Sequence, residues 1–241
     1  MKKIFSILTI FIFLQTVQPL QAQEAHNELG IGVGAMHYRG ELAPIINLTQ
    51  PSFGVSAFFR RNSANPAWSF RGNFLFGRVV ADDSRSNDAF ALARNHSFKT
   101  TIIELAAVVE YNFFDMGRDV KKSEYLWTPY LFAGLSGFRM DPGQNIRPTY
   151  GLFTFSIPFG VGAKFYAGSK MNIGVEFGAR WTFTDFLDDV GMEVNLAAPG
   201  SRNARYYTGN PNDTDMFFYT SVNVAFVMFK KASACPIKIP N

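Results

Sequence analysis

Cysteine is nearly missing from this sequence: Cys235 stands alone among 241 residues. With no second thiol the chain can close no internal disulfide, which excludes the small stapled secreted domains. In the tail from Lys230 to Asn241 it reads as an unpaired thiol, with a disulfide to a partner chain as the lesser alternative. Histidine is scarce too. His26, His37 and His96 lie far apart, and none has a second histidine or a cysteine at a metal-binding spacing. Past the first residues no apolar run reaches the length of about 18 residues that a membrane-crossing helix needs. No glycine-rich segment precedes a helix, so no phosphate cradle and no cofactor is expected.

What the chain does have begins at its start. Met1-Lys2-Lys3 is a basic head, Ile4 to Leu14 an apolar stretch, and Leu20-Gln21-Ala22 a small-residue cleavage site. Residues 1–22 are therefore expected to be a signal peptide, and no cysteine beside the site suggests a lipoprotein. Removing them takes Lys2 and Lys3 from the 23 basic residues, leaving 21 against 19 acidic ones. That balance gives no reason to expect a nucleic-acid partner. The aromatic share of 16%, with 26 Phe, fits aromatic girdles at two membrane interfaces, and it equally fits a Phe-rich sandwich core.

Periodicity separates those two. From Met171 to Thr184, apolar residues alternate with polar ones at every position, and Phe153 to Tyr166 does the same. A period of two is a strand with one apolar and one polar face. Strands in globular proteins usually run about five or six residues, whereas a tilted membrane strand needs about ten. Eight such segments are read: Leu29 to Tyr38, Ser52 to Arg61, Ala67 to Arg78, Thr100 to Phe113, Leu126 to Gly137, Phe153 to Tyr166, Met171 to Thr184 and Met216 to Phe229. The connections hold 13, 5, 21, 12, 15, 4 and 31 residues, so long and short alternate. Up-and-down outer-membrane barrels place long loops outside and short turns in the periplasm. The expectation is an all-β chain: an eight-stranded antiparallel up-and-down outer-membrane β-barrel over residues 23–229, with a periplasmic tail over 230–241.

In that barrel Arg60, Arg71, Glu104, Glu110, Lys164, Glu176 and Arg180 point inward. An interior just wide enough for its own side chains would pair them with one another; a gated path or a bound solute is the alternative. Gly30, Gly32 and Gly34 on the first strand would leave room for long side chains opposite. The fifth strand, apolar on both sides from Tyr130 to Leu135, has no readable face. Barrel enzymes that act on lipid use a histidine near the outer rim. His37 is near that rim but falls on the lipid-facing side, so no catalytic residue is assigned. The acidic group Asp185, Asp188, Asp189 and Glu193 lacks a calcium-loop spacing and reads as a solvated or protein-contacting loop, with a Ca²⁺ site as the weaker alternative.

Two segments carry a resemblance. His37-Tyr38-Arg39-Gly40-Glu41-Leu42 is similar to the Tyr-x-Gly-Asp-Leu segment of the PorG-like outer-membrane barrels of Bacteroidetes. Thr182-Phe183-Thr184-Asp185-Phe186-Leu187-Asp188-Asp189-Val190 resembles their Thr-Phe-Thr-Asp-Tyr-Leu-Asp-Asp-Val run, with Glu41 and Phe186 departing from it. Phe155 to Gly162 resembles the strand two before it. The resemblance implies a component of the type IX (Por) protein secretion system that links the outer membrane to a periplasmic ring of the PorK lipoprotein and PorN. Lys121, Lys122, Lys230 and Lys231, with Lys238, would face the periplasm as docking positions or as ordinary solubilising charge. Two other functions stay open: a stand-alone barrel that binds ligands through its outer loops, and a lipid-modifying barrel enzyme.

Overall fold

In the computed structural model the described residues are 26–40, 50–85, 92, 97–116, 125–142, 152–168, 170–184, 187 and 215–228. They form eight strands: β1 (His26–Arg39), β2 (Ser52–Asn62), β3 (Trp68–Asp82), β4 (Ser97–Asn112), β5 (Trp127–Pro142), β6 (Phe153–Tyr166), β7 (Met171–Thr182) and β8 (Met216–Met228). Each strand pairs antiparallel with the next, and β1 pairs with β8, so the sheet closes into a barrel with no free edge. The short turns, the chain's first described residue and its last all lie at one end. At that end Asn65 caps the β2–β3 turn by accepting the Ala67 amide at 3.0 Å. The β6–β7 turn closes through Ala167 N–H to the Met171 carbonyl at 3.1 Å, with Gly168 at φ 135°.

The alternation is inverted relative to a soluble sandwich. Leu105, Leu135, Ile31, Val161 and Phe226 face outward, with Leu135 70% and Leu105 66% exposed, while Arg60, Glu104 and Glu110 are buried inside. Along β4 and the residue after it the outward row runs from Ile103 to Phe113. Ten steps of about 3.3 Å at a tilt near 40° make a band roughly 25 Å tall, the height of an outer-membrane barrel's apolar belt. At the short-turn end the belt meets a girdle of rings. Trp68 stands edge-on to Tyr111 at 5.1 Å, Phe114 stacks on Tyr125 at 4.8 Å, and Trp127 stacks on Phe165 at 6.3 Å.

Toward the long-loop end the phase of the alternation reverses. Val79, Ala81, Phe98, Ile102, Phe138 and Met140 now point inward and join Met36, Tyr38, Leu75, Phe217, Tyr219 and Leu187 in one apolar cluster. Arg78, Lys99, Arg139 and Asp141 point outward and are exposed. This end is built like a small soluble barrel standing on the belt. The reversal explains the boundaries: β3 and β5 continue to Asp82 and Pro142 and β4 begins at Ser97, beyond the ends that the belt pattern alone gives. β7 instead stops at Thr182 at this end, two residues before Thr184.

β5 resolves its own ambiguity by what lies inside it. Tyr130, Phe132 and Phe138 are buried, and Leu131, Ala133 and Leu135 face out. The first-strand glycines also differ in detail from expectation. Gly30 sits opposite Phe58, and a methyl group there would land on the Phe58 ring. The space it leaves is taken by an aromatic ring, on which two arginines then lie.

Candidate functional site

Three layers fill the barrel. The lowest, near the short turns, is ionic. Arg60 on β2 and Arg71 on β3 are directly opposed across the sheet, both pointing inward. Facing like charges are destabilising unless a counter-ion lies between them. Glu110 on β4 supplies it: Arg60 Nε is 3.0 Å from its Oε2, Arg71 Nε 3.0 Å from its Oε1, and Lys164 Nζ donates to Oε2 at 2.6 Å. The Arg71 contact is close but misaligned, so Arg71 Nε makes an electrostatic contact there without a hydrogen bond.

The ends of the network are held by two more carboxylates. Glu28 accepts from Arg60 Nη1 at 2.7 Å, from Asn62 at 2.9 Å and from Asn172 at 3.1 Å. Glu176 accepts from Arg71 Nη1 at 2.6 Å and from the Tyr130 hydroxyl at 2.7 Å. Three carboxylates therefore face three cations, which is the condition for burying them at all. The guanidinium planes also lie over rings: Arg60 is 4.8 Å from the Phe58 centroid and Arg71 5.2 Å from that of Phe132. Above this layer a separate pair, Arg180 Nε to Glu104 at 3.3 Å, sits beneath Phe217 and Tyr219. A cavity of about 50 Å³ opens at the short-turn mouth beside Glu28, Asn112, Lys164 and Asn172.

The apolar cluster forms the third layer, and at its rim the two family-like segments meet. The Tyr38 hydroxyl donates to Asp215 Oδ1 at 2.8 Å, and Asp215 Oδ2 accepts the Leu187 amide at 2.9 Å. Thr100 Oγ1 donates to the Leu187 carbonyl at 2.8 Å, and Thr182 Oγ1 to the Asp215 carbonyl at 2.7 Å. Leu187 itself is fully buried in the cluster. The Tyr-x-Gly spacing acquires a reason here, because a methyl group on Gly40 would fall on the Tyr38–Asp215 hydrogen bond. Gly40→Ala and Asp215→Ala are each expected to cost about 1–3 kcal/mol through the lost buried bond. Hydrogen exchange at the Leu187 amide checks this: faster exchange in both variants is expected, and unchanged exchange would show that the latch holds nothing.

Of the residues singled out from sequence, all seven interior charges are buried and ion-paired as described, and Tyr38, Gly40 and Leu187 meet at one mouth. Thr184 follows β7, and its carbonyl lies 3.1 Å from Thr182 Oγ1. His37 has outward parity yet is buried at the long-loop mouth. Glu41, Leu42, Asp185, Asp188, Asp189, Lys121, Lys122, Lys230 and Lys231, together with residues 1–22 and Cys235, lie outside the described residues. Sequence reading missed Glu28, which sits one residue before the strand start assigned from alternation. It also missed Asp215, one acidic residue among several in a long connection. Among the described residues no group of His, Cys, Asp or Glu is placed to hold a metal ion.

A closed eight-stranded antiparallel barrel with an apolar outer belt and a buried ionic interior is an outer-membrane barrel in fold. The chain belongs to the family described as "Domain of unknown function (DUF6089)", which matches residues 2–237. Among solved structures it is similar to Ail, the attachment invasion locus protein of Yersinia pestis, at 11% identity over 86% of this chain and 100% of that one, with a TM-score of 0.47. It is also similar to neisserial surface protein A, at 9% identity over 85% of this chain and 99% of that one, TM-score 0.48. The outer membrane protein OprG of Pseudomonas aeruginosa is similar at 9% identity over 88% of this chain and 100% of that one, TM-score 0.43. No curated protein matches the sequence.

Proposed function

We propose that the protein resides in the outer membrane as a non-enzymatic component of the type IX protein secretion machinery, where it anchors or docks a periplasmic ring of the PorK lipoprotein and PorN type. The observation that carries this reading is the filled interior. Two ionic layers and an apolar cluster occupy the barrel from the short-turn end to the long-loop end, so it acts through its ends and its outer surface. The segments that resemble the PorG-like barrels supply the identity of the machine. They contribute to the closed outer mouth, where Tyr38, Gly40 and Leu187 converge on Asp215. Docking then belongs to the short-turn end, which carries the connection holding Lys121 and Lys122. The Phe114–Tyr125 stack at 4.8 Å holds the two ends of that connection together.

Crosslinking native envelopes, purifying the barrel and identifying its companions by mass spectrometry tests the reading. A periplasmic lipoprotein and its ring partner are expected, and a Lys121→Glu/Lys122→Glu variant is expected to recover less of them. Recovery of the barrel alone would overturn the secretion role and favour a stand-alone barrel acting through its outer loops.

A further inference from the structure

The two rims of the apolar belt are built differently. At the short-turn rim, aromatic rings cross β3 to β6 without a cation among the outward residues Trp68, Tyr111, Trp127 and Phe165. At the long-loop rim exposed rings stand at Phe53 on β2, Phe76 on β3, Phe153 and Phe155 on β6, and Trp181 on β7. On β3, β4 and β5 the first outward positions beyond the belt include Arg78, Lys99 and Arg139.

Register brings the three together. Arg78 faces Thr101 across β3 and β4, and Lys99 lies two residues beyond Thr101 on the same face. That diagonal separates neighbouring side chains by roughly 7–8 Å. Arg139 faces Ile103 and so stands diagonal to Thr101 from β5, across β4 from Arg78 and four residues of register from Lys99. All three are exposed, and among the described residues none makes an ion pair. Two carboxylates share this face, Asp141 facing Thr101 from β5 and Asp82 on β3 diagonal to Lys99, leaving an excess of one positive charge. The patch lies where outward residues change from apolar to polar, which is the depth of lipid headgroups.

We infer that Arg78, Lys99 and Arg139 form a binding patch for phosphate-bearing lipid headgroups in the leaflet that surrounds the long-loop end. The inference rests on the outer-membrane reading of the barrel and not on the secretion role. Two arginines and a lysine offer forked and point-charge donors to phosphate oxygens, while Ile103 and Phe76 immediately below meet the acyl chains. The aromatic strands beside the patch would accept uncharged parts of neighbouring lipids.

The test uses the full-length protein in nanodiscs, with lipid A and its dephosphorylated form as probes, bound lipid being counted by native mass spectrometry. Wild type is expected to retain phosphorylated lipid A preferentially, and the preference should weaken as salt rises. Each cation near a charged membrane surface contributes about a fivefold factor, so Arg78→Gln/Lys99→Gln/Arg139→Gln is expected to lose on the order of a hundredfold. Lys99→Gln alone should lose a single such step, which keeps a test available if the triple variant folds poorly. Equal retention of both lipids by wild type would overturn the inference, as would a triple variant that binds like wild type. Displacement of the lipid by millimolar inorganic phosphate would also overturn it, by assigning the patch to the free ion. A protein that stays monomeric without detergent would instead defeat the outer-membrane reading itself.

Discussion

Replacing Glu110 with Gln is expected to lower stability by about 3–5 kcal/mol, the cost of leaving buried charge without its counter-ion. The size follows from position. Glu110 is fully buried and is the only carboxylate in contact with Arg60, Arg71 and Lys164 together, among the described residues. Arg60 and Arg71 are opposed across β2 and β3, so removing the negative charge between them turns a shared contact into direct repulsion. Glutamine keeps the shape and one acceptor, which isolates the charge. Glu176→Gln should cost less, because Glu176 bridges only Arg71 and Tyr130. Denaturant unfolding of the reconstituted barrel, followed by tryptophan fluorescence, measures both. Equal midpoints for wild type and Glu110→Gln would mean that the network is not what holds the lower half.

The second large effect concerns the outside. Val109→Lys is expected to cost about 2–4 kcal/mol, because Val109 faces outward near mid-height of the belt and a lysine there enters hydrocarbon. A solvent-exposed valine of a soluble protein would change stability by no more than about 0.5 kcal/mol on the same replacement. The two environments therefore differ severalfold in the predicted loss, and the substitution distinguishes lipid from water at one residue. Folding yield into liposomes and the unfolding midpoint there are the readouts. Lys170→Leu serves as the control, since Lys170 is exposed in the β6–β7 turn beyond the belt and its replacement should leave both nearly unchanged.

Much of this fold could be read before any coordinate was known, and the reason is the environment. Inside the belt every outward position must be apolar and nearly every inward one small or polar, so the period-two signal is continuous along β6 and β7. The signal failed where that environment ends. From Val79 to Asp82 and from Phe138 to Asp141 the faces exchange character, and a pattern written for lipid stops there although the strands continue. The interior charges were legible for the same reason: a charged residue within a lipid-facing alternation has only one side to go to. Their partners were not. Alternation places Glu110 inward but says nothing of which cations lie across the lumen, since that depends on closure and on the offset between strands.

The outer-mouth latch illustrates the same limit. Tyr38 and Leu187 belong to segments that sequence singled out, but Asp215, the residue that joins them, does not stand out in a polar connection. Nothing local to Gly40 shows why it lacks a side chain either. The reason is a bond between two residues 177 positions apart.

That separation has a consequence for assembly. Of all the ladders, β1 with β8 joins the most distant parts of the chain and carries the largest loop-closure entropy, so it is the seam on which completion of the barrel depends. The Tyr38–Asp215 bond lies at the outer end of that seam and contributes nothing to any arc of strands that is still open. It is formed only by a finished ring, and a spectroscopic probe on Tyr38 would therefore time the last event of barrel biogenesis rather than the insertion of its parts.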